Sequence, residues 1–101
     1  MTKDQKTESL AETLRLLGDP TRLKLMLLLD EEEINVSELC RKTRLPQPTV
    51  SHHLGILRSG GLVMNRRAGK EVYYRQHGAG KGPLKEVLRL GPLVIGPARG
   101  K

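Results

Sequence analysis

Apolar residues return at helical spacing in four stretches of the chain, and each stretch is closed by glycine, proline or a run of charge. In the first, Leu10, Leu14 and Leu17 mark one face, Ser9-Leu10-Ala11-Glu12 has the form of an N-terminal capping box, and Gly18 ends the helix. Asp19-Pro20 restarts a helix at once, with Asp19 as N-cap and Pro20 at the first helical position. This second helix, to about Leu29, carries Leu23, Leu25, Met26, Leu27, Leu28 and Leu29 almost all round it, as expected of a central element covered on most sides. Asp30 to Glu33 then puts four carboxylates where the helix dipole disfavours them, which predicts a solvated loop. Asn35 to about Thr43 reads as a third, short helix with Asn35 as N-cap and Glu38 completing a box. Its Val36, Leu39 and Cys40 face inward, so Cys40 is expected to be a small buried apolar residue.

The fourth stretch, Leu45 to Ser59, is the one the rest is arranged around. Val50, Leu54 and Leu57 form its apolar stripe, while Gln47, Thr49, Ser51, His52 and Gly55 lie on the other side. Pro46 and Pro48 fit its start and Gly60-Gly61 its end. Leu62–Arg67 and Glu71–Gln76, rich in Val, Tyr and Met and joined through Ala68-Gly69-Lys70, then predict a β-hairpin. The expected organisation is a disordered N-terminus at 1–7, one domain at 8–77, and a Gly/Pro-rich tail at 78–101 with a short helix near 83–90.

An amphipathic helix with a polar outer face is common in any soluble domain. Here, however, a short helix and a tight connection precede it, and a hairpin with Arg66, Arg67 and Lys70 around its turn follows. The fold expected is mainly α with a small β-hairpin: a helix-turn-helix with a basic wing. Short hydrogen-bonding side chains on the outer face suit a helix that comes close to base edges in a major groove. Arg41, Lys42 and Arg44 lie toward the connection, placed either to touch phosphates or simply to form a solvated basic face.

Charge adds weight to this. Residues 1–40 carry five Lys/Arg and nine Asp/Glu, residues 41–75 carry eight and one, and residues 76–101 carry five and one. The excess of positive charge thus coincides with the proposed helix and wing, and a polyanion bound there would release counterions. With no Trp, no Phe and only Tyr73 and Tyr74, the chain has no aromatic platform for single-stranded nucleic acid. One cysteine excludes an internal disulfide and cannot alone make a structural zinc site. No apolar run reaches about 18 residues and no signal-peptide pattern opens the chain, so the expected location is cytoplasmic, away from any membrane.

With LGDPTRLKLMLLL at 17–29, VSELCRKTRLPQPTVSHHLGILRSGGLV at 36–63 and RRAGKEVYYR at 66–75, the chain resembles the ArsR/SmtB family of bacterial winged-helix repressors over about residues 8–77. The resemblance implies a homodimer that binds an imperfect inverted repeat in a promoter and, in many members, leaves DNA when an effector binds. Carried over by position, Gln47, Thr49, Ser51 and His52 become the groove-facing set, and His53, in the family's Ser-x-His-Leu pattern, a structural residue. The family's metal-sensing pattern ELCVCDL is out of register with Glu38-Leu39-Cys40: anchoring on QPTVS puts its two cysteines at Asn35 and Ser37. The family's other metal site needs histidines on the last helix, and none follows His77. No metal ligand set and no cofactor are therefore expected. That last helix also pairs subunits in the family; here it is short and followed by Pro92, so dimerisation is expected to rest mainly on the first helix.

The reading that results is a sequence-specific regulator binding double-stranded DNA as a homodimer. Its alternative is a winged-helix module that binds a protein and touches DNA only non-specifically. An enzyme is not expected: no Ser/His/Asp set, paired carboxylates or phosphate-cradling loop is present, and adjacent His52 and His53 point about 100° apart on a helix.

Overall fold

The computed structural model describes residues 3–30 and 32–77, and the tail with its short helix expected near 83–90 lies outside them. Among the described residues, four helices and three short strands follow one another as α1 (Lys3–Leu17), α2 (Pro20–Leu28), β1 (Ile34–Asn35), α3 (Val36–Thr43), α4 (Gln47–Ser59), β2 (Val63–Ala68) and β3 (Glu71–Gln76). This is a winged helix-turn-helix: α3 and α4 form the helix-turn-helix, and β2–β3 the wing. None of the described helices is long and apolar enough to cross a membrane.

The caps between α1 and α3 form as expected. Asp19 accepts from the backbone N–H groups of Thr21 and Arg22 at 2.8 and 3.2 Å, and Asn35 accepts from Glu38 N–H at 2.7 Å. The second half of the Asn35 box is not made, because the Glu38 carboxylate turns to Arg41 and Lys42.

The first helix departs from expectation in two ways. It runs from Lys3 instead of from near Ser9, so residues 3–7 are helical. The six residues before Ser9 are compatible with helix and place Asp4 in the first turn, where the dipole favours it, so nothing forces a start at the box. Ser9 is then interior, and its carbonyl accepts from the Thr13 hydroxyl at 3.1 Å. The helix is also rotated: Leu17 is buried and Leu10 half-buried as expected, but Leu14 is 46% exposed while Thr13 is 4% exposed. With its hydroxyl satisfied within the helix, Thr13 can be buried at little cost.

The core is centred on α2. Leu25, Met26 and Leu29 meet Leu39 of α3, Val50, Leu54 and Leu57 of α4, and Ile34, Leu62, Val63 and Tyr74 from the sheet side. Cys40 is partly buried against this cluster. The wing hairpin forms in the expected place, with Ala68 paired to Glu71 across Gly69-Lys70. Gly69 has φ +64 and Lys70 no positive φ, the pattern of a type II′ turn. The hairpin is not alone, however. The sheet has the antiparallel order β1-β3-β2, with Ile34 paired to Tyr74 and Asn35 to Tyr73.

The end of α4 is a Schellman motif. Gly61 sits at φ +78 and its N–H donates to Arg58 O, while Leu62 N–H donates to Leu57 O, both at 3.0 Å. Leu57 and Leu62 are both buried, giving the apolar contact that accompanies this motif. The motif turns the chain from α4 directly into the wing.

Candidate nucleic-acid interface

The inner stripe of α4 is fully covered: Val50, Leu54 and Leu57 are each 0% exposed. That burial fixes the helix's rotation, so the opposite face is determined as well. Gln47, Ser51, His52 and Gly55 are exposed on it and Thr49 is half-buried. These are the five positions that the sequence assigns to the outer side. A Cβ built on Gly55 meets nothing within 4 Å, so no contact inside the described chain requires glycine there. A glycine in a helix interior costs roughly 0.5–1 kcal/mol relative to alanine, so its place on this face suits close approach of something outside the chain.

The start of the helix is set by an unusual connection. Arg44 closes α3 in the left-handed region at φ 60, ψ 34, the one described non-glycine residue with positive φ. Leu45 and Pro46 follow, and Pro46 serves as N-cap without offering a side-chain hydrogen bond. The α4 N-terminus is therefore approached by an exposed cation, Arg44, and by no capping carboxylate.

Two interactions tie α4 to the helices before it. The Arg22 guanidinium donates from Nε to Leu16 O at 2.7 Å and lies 3.2 Å from His53 Nδ1 through Nη1. Since guanidinium can only donate, Nδ1 accepts and the ring proton is on Nε2. Hydrogen bonds from the Arg22 and Thr21 backbone N–H groups hold the Asp19 carboxyl below the usual carboxylate range, helped by the Arg22 charge nearby. His53 is thus a structural link between α2 and α4. Its ring meets His52 edge-on at 5.3 Å between centroids. At the far end, a Cβ on Gly60 would meet the tip of the Leu16 side chain of α1, which would have to shift to admit it. An open cleft of about 670 Å³ lies along this seam, lined by Glu12 and Leu16 on one side and Ser51, His52, Gly55 and Ile56 on the other.

The cations predicted from sequence fall into two groups. Arg44, Arg67 and Lys70 are exposed and form no ion pair among the described residues. Arg41, Lys42 and Arg66 are paired with carboxylates. Arg41 and Lys42 share Glu38, whose carboxyl is held low chiefly by the Arg41 hydrogen bond. Arg66 makes a two-pronged contact with Glu33, Nε to Oε2 and Nη2 to Oε1, both at 2.8 Å, and its guanidinium carbon lies 4.9 Å from the centre of the Tyr73 ring. The hydrogen bond lowers the Glu33 carboxyl and raises Arg66. Sequence reasoning placed Glu33 in a solvated loop and missed this pair, since 33 residues separate the partners and no local pattern joins them. Among the described residues, no three His, Cys, Asp or Glu side chains gather as a metal site would require.

Comparison with known proteins agrees with this architecture. Residues 19–64 match the family described as bacterial regulatory protein, arsR family. A biofilm growth-associated repressor from Xylella fastidiosa is 39% identical over 85 residues, spanning 84% of this chain and 75% of the repressor. The crystal structure of the transcriptional repressor BigR from Xylella fastidiosa superposes with a TM-score of 0.73 at 36% identity, covering 87% of this chain and 93% of that one. The solution structure of a homodimeric winged helix-turn-helix DNA-binding domain from Mycobacterium bovis, a possible ArsR-family regulator, gives a TM-score of 0.69 at 32% identity. That match covers 83% of this chain and 76% of the Mycobacterium bovis chain.

Proposed function

The chain belongs to the ArsR family of bacterial regulatory proteins, and from that premise we propose that it is a dimeric transcriptional repressor acting at an inverted-repeat DNA operator, with no catalytic role. The observation that carries this is the outer face of α4, where Gln47, Ser51, His52 and Gly55 stand exposed on a helix whose rotation the core has fixed. On this reading Gln47, Thr49, Ser51 and His52 read base edges in the major groove, and Arg44, Arg67 and Lys70 hold phosphates on either side. Exposed Leu14 on α1 supports pairing of two copies through the first helix. The Mycobacterium bovis domain is homodimeric, which is consistent with this. The test separates base reading from phosphate contact. Ser51→Ala and His52→Ala should reduce the ratio of operator to random-DNA affinity, each direct base contact contributing about 1–3 kcal/mol of discrimination. Arg67→Ala and Lys70→Ala should weaken both kinds of binding alike and flatten the salt dependence. Wing variants that alter specificity while helix variants do not would overturn the assignment.

A further inference from the structure

The wing is a two-stranded ribbon for most of its length. β1 pairs with β3 only at Tyr73 and Tyr74, and the rung carrying Tyr73, with Asn35 on one side and Arg66 on the other, is the last at which three strands lie together. Beyond it, from Arg67 to Val72, the hairpin overhangs as two strands around Gly69-Lys70. A two-stranded ribbon twists more than a wider sheet, so the direction of its tip depends on how its base is held.

The Glu33–Arg66 contact sits at the base of this overhang. Strand alternation puts Arg66, Tyr73 and Asn35 on one face of the sheet, and Glu33, two residues before Asn35, on the same side. From β2, the Arg66 guanidinium lies over Tyr73 of β3 and ends in a two-pronged contact with Glu33, just before β1. One side chain therefore spans all three strands at the rung where the overhang begins. We propose that Glu33 and Arg66 form a clamp that aims the wing tip, making both positioning residues for DNA binding, with Arg66 not a phosphate ligand.

This inference rests on the proposed DNA-binding function, and it differs from the expectation that Arg66 belongs with Arg67 and Lys70. Those two are exposed, without an ion pair among the described residues, and lie beyond the clamp. Arg66 is committed to Glu33 through both donors that face it. Lysine keeps the charge but cannot make a two-pronged contact.

The experiment measures binding of a selected duplex across a salt series for wild type, Glu33→Gln, Arg66→Gln, Arg66→Lys, the Glu33→Gln/Arg66→Gln double variant and Arg67→Gln. The clamp predicts that both Glu33→Gln and Arg66→Gln weaken binding several-fold without changing the salt slope. Arg66→Lys should behave as Arg66→Gln, and the double variant should be no worse than either single one. Arg67→Gln, by contrast, should flatten the slope by about 0.9 for each phosphate it leaves unneutralised. Tighter binding with a steeper slope in Glu33→Gln would overturn the proposal, because Arg66 would then be a phosphate ligand restrained by its partner. A flattened slope in Arg66→Gln would do the same. The free protein supplies an independent readout: the Arg66 Nε–H resonance should be protected from solvent exchange in wild type and lose that protection in Glu33→Gln. If wild type bound no duplex yet showed this protection, the DNA-binding function would fail while the clamp stood; an unprotected Nε–H would remove the clamp itself.

Discussion

Gly55→Ala sets the fold and the proposed interface against each other. The substitution adds one methyl group to the middle of α4 on the exposed face, where a built Cβ meets nothing within 4 Å. No overpacking term therefore opposes the gain in helix propensity and the reduced freedom of the unfolded chain, together roughly 0.5–1 kcal/mol. For a domain of this size, 1 kcal/mol corresponds to a rise of about 4–8 °C in the unfolding midpoint. Urea and thermal unfolding followed by circular dichroism, at equal protein concentrations because a dimer's stability depends on concentration, would measure the change. The methyl group should at the same time weaken operator binding, since it projects from the face that carries Ser51 and His52. A less stable Gly55→Ala protein would refute the packing argument. A more stable one with undiminished operator affinity would show that glycine at this position owes nothing to close approach by DNA.

Acid should destabilise the fold through three carboxylates. Asp19, Glu33 and Glu38 all have folded-state pKa values lowered, by backbone N–H groups of α2, by Arg66 and by Arg41 respectively. Their contribution is complete above the ordinary values of 3.8 and 4.5 and is lost as pH falls through the lowered ones, because the unfolded state then binds more protons. The urea midpoint should therefore be set by other groups near neutrality and drop below about pH 4.5; a midpoint unchanged down to pH 3 would contradict this. Zinc, cadmium and arsenite at stoichiometric concentration should leave operator affinity unchanged, because a single cysteine per chain, partly buried against the core, supplies no converging soft ligands. A tenfold loss that disappears in Cys40→Ser would make Cys40 a sensor instead.

Much of this architecture was legible because the signals were local. Asp19 and Asn35 cap helices from one turn away, the Val50/Leu54/Leu57 stripe fixes the rotation of α4, and Gly60-Gly61 ends it. What escaped depends on tertiary contacts. The Ser9 box was a good local candidate, but the residues before it are also compatible with helix, and the helix continues through them. The Leu10/Leu14/Leu17 pattern could not say that Thr13 would turn inward and Leu14 outward, because that rotation is set by how α1 docks on the rest of the chain. β1 has two residues, too few for any periodicity, and exists only because Tyr73 and Tyr74 pair with it. At the candidate interface, the outer face of α4 followed from its apolar stripe, whereas the division of the cations into paired and exposed groups did not. Arg66 and Arg67 look alike in sequence, and only the return of the Glu33 loop to the sheet distinguishes them.

The central claim is that two copies of this chain read one specific duplex through α4. Selecting bound duplexes from a random-sequence pool, then determining protein-to-DNA stoichiometry on the enriched sequence, tests it most directly. The account predicts an inverted repeat whose half-sites lie on one face of the duplex, about 10–10.5 base pairs or a multiple apart from centre to centre, occupied by two protomers. A pool that remained random after repeated selection, or a single protomer bound per enriched site, would contradict it.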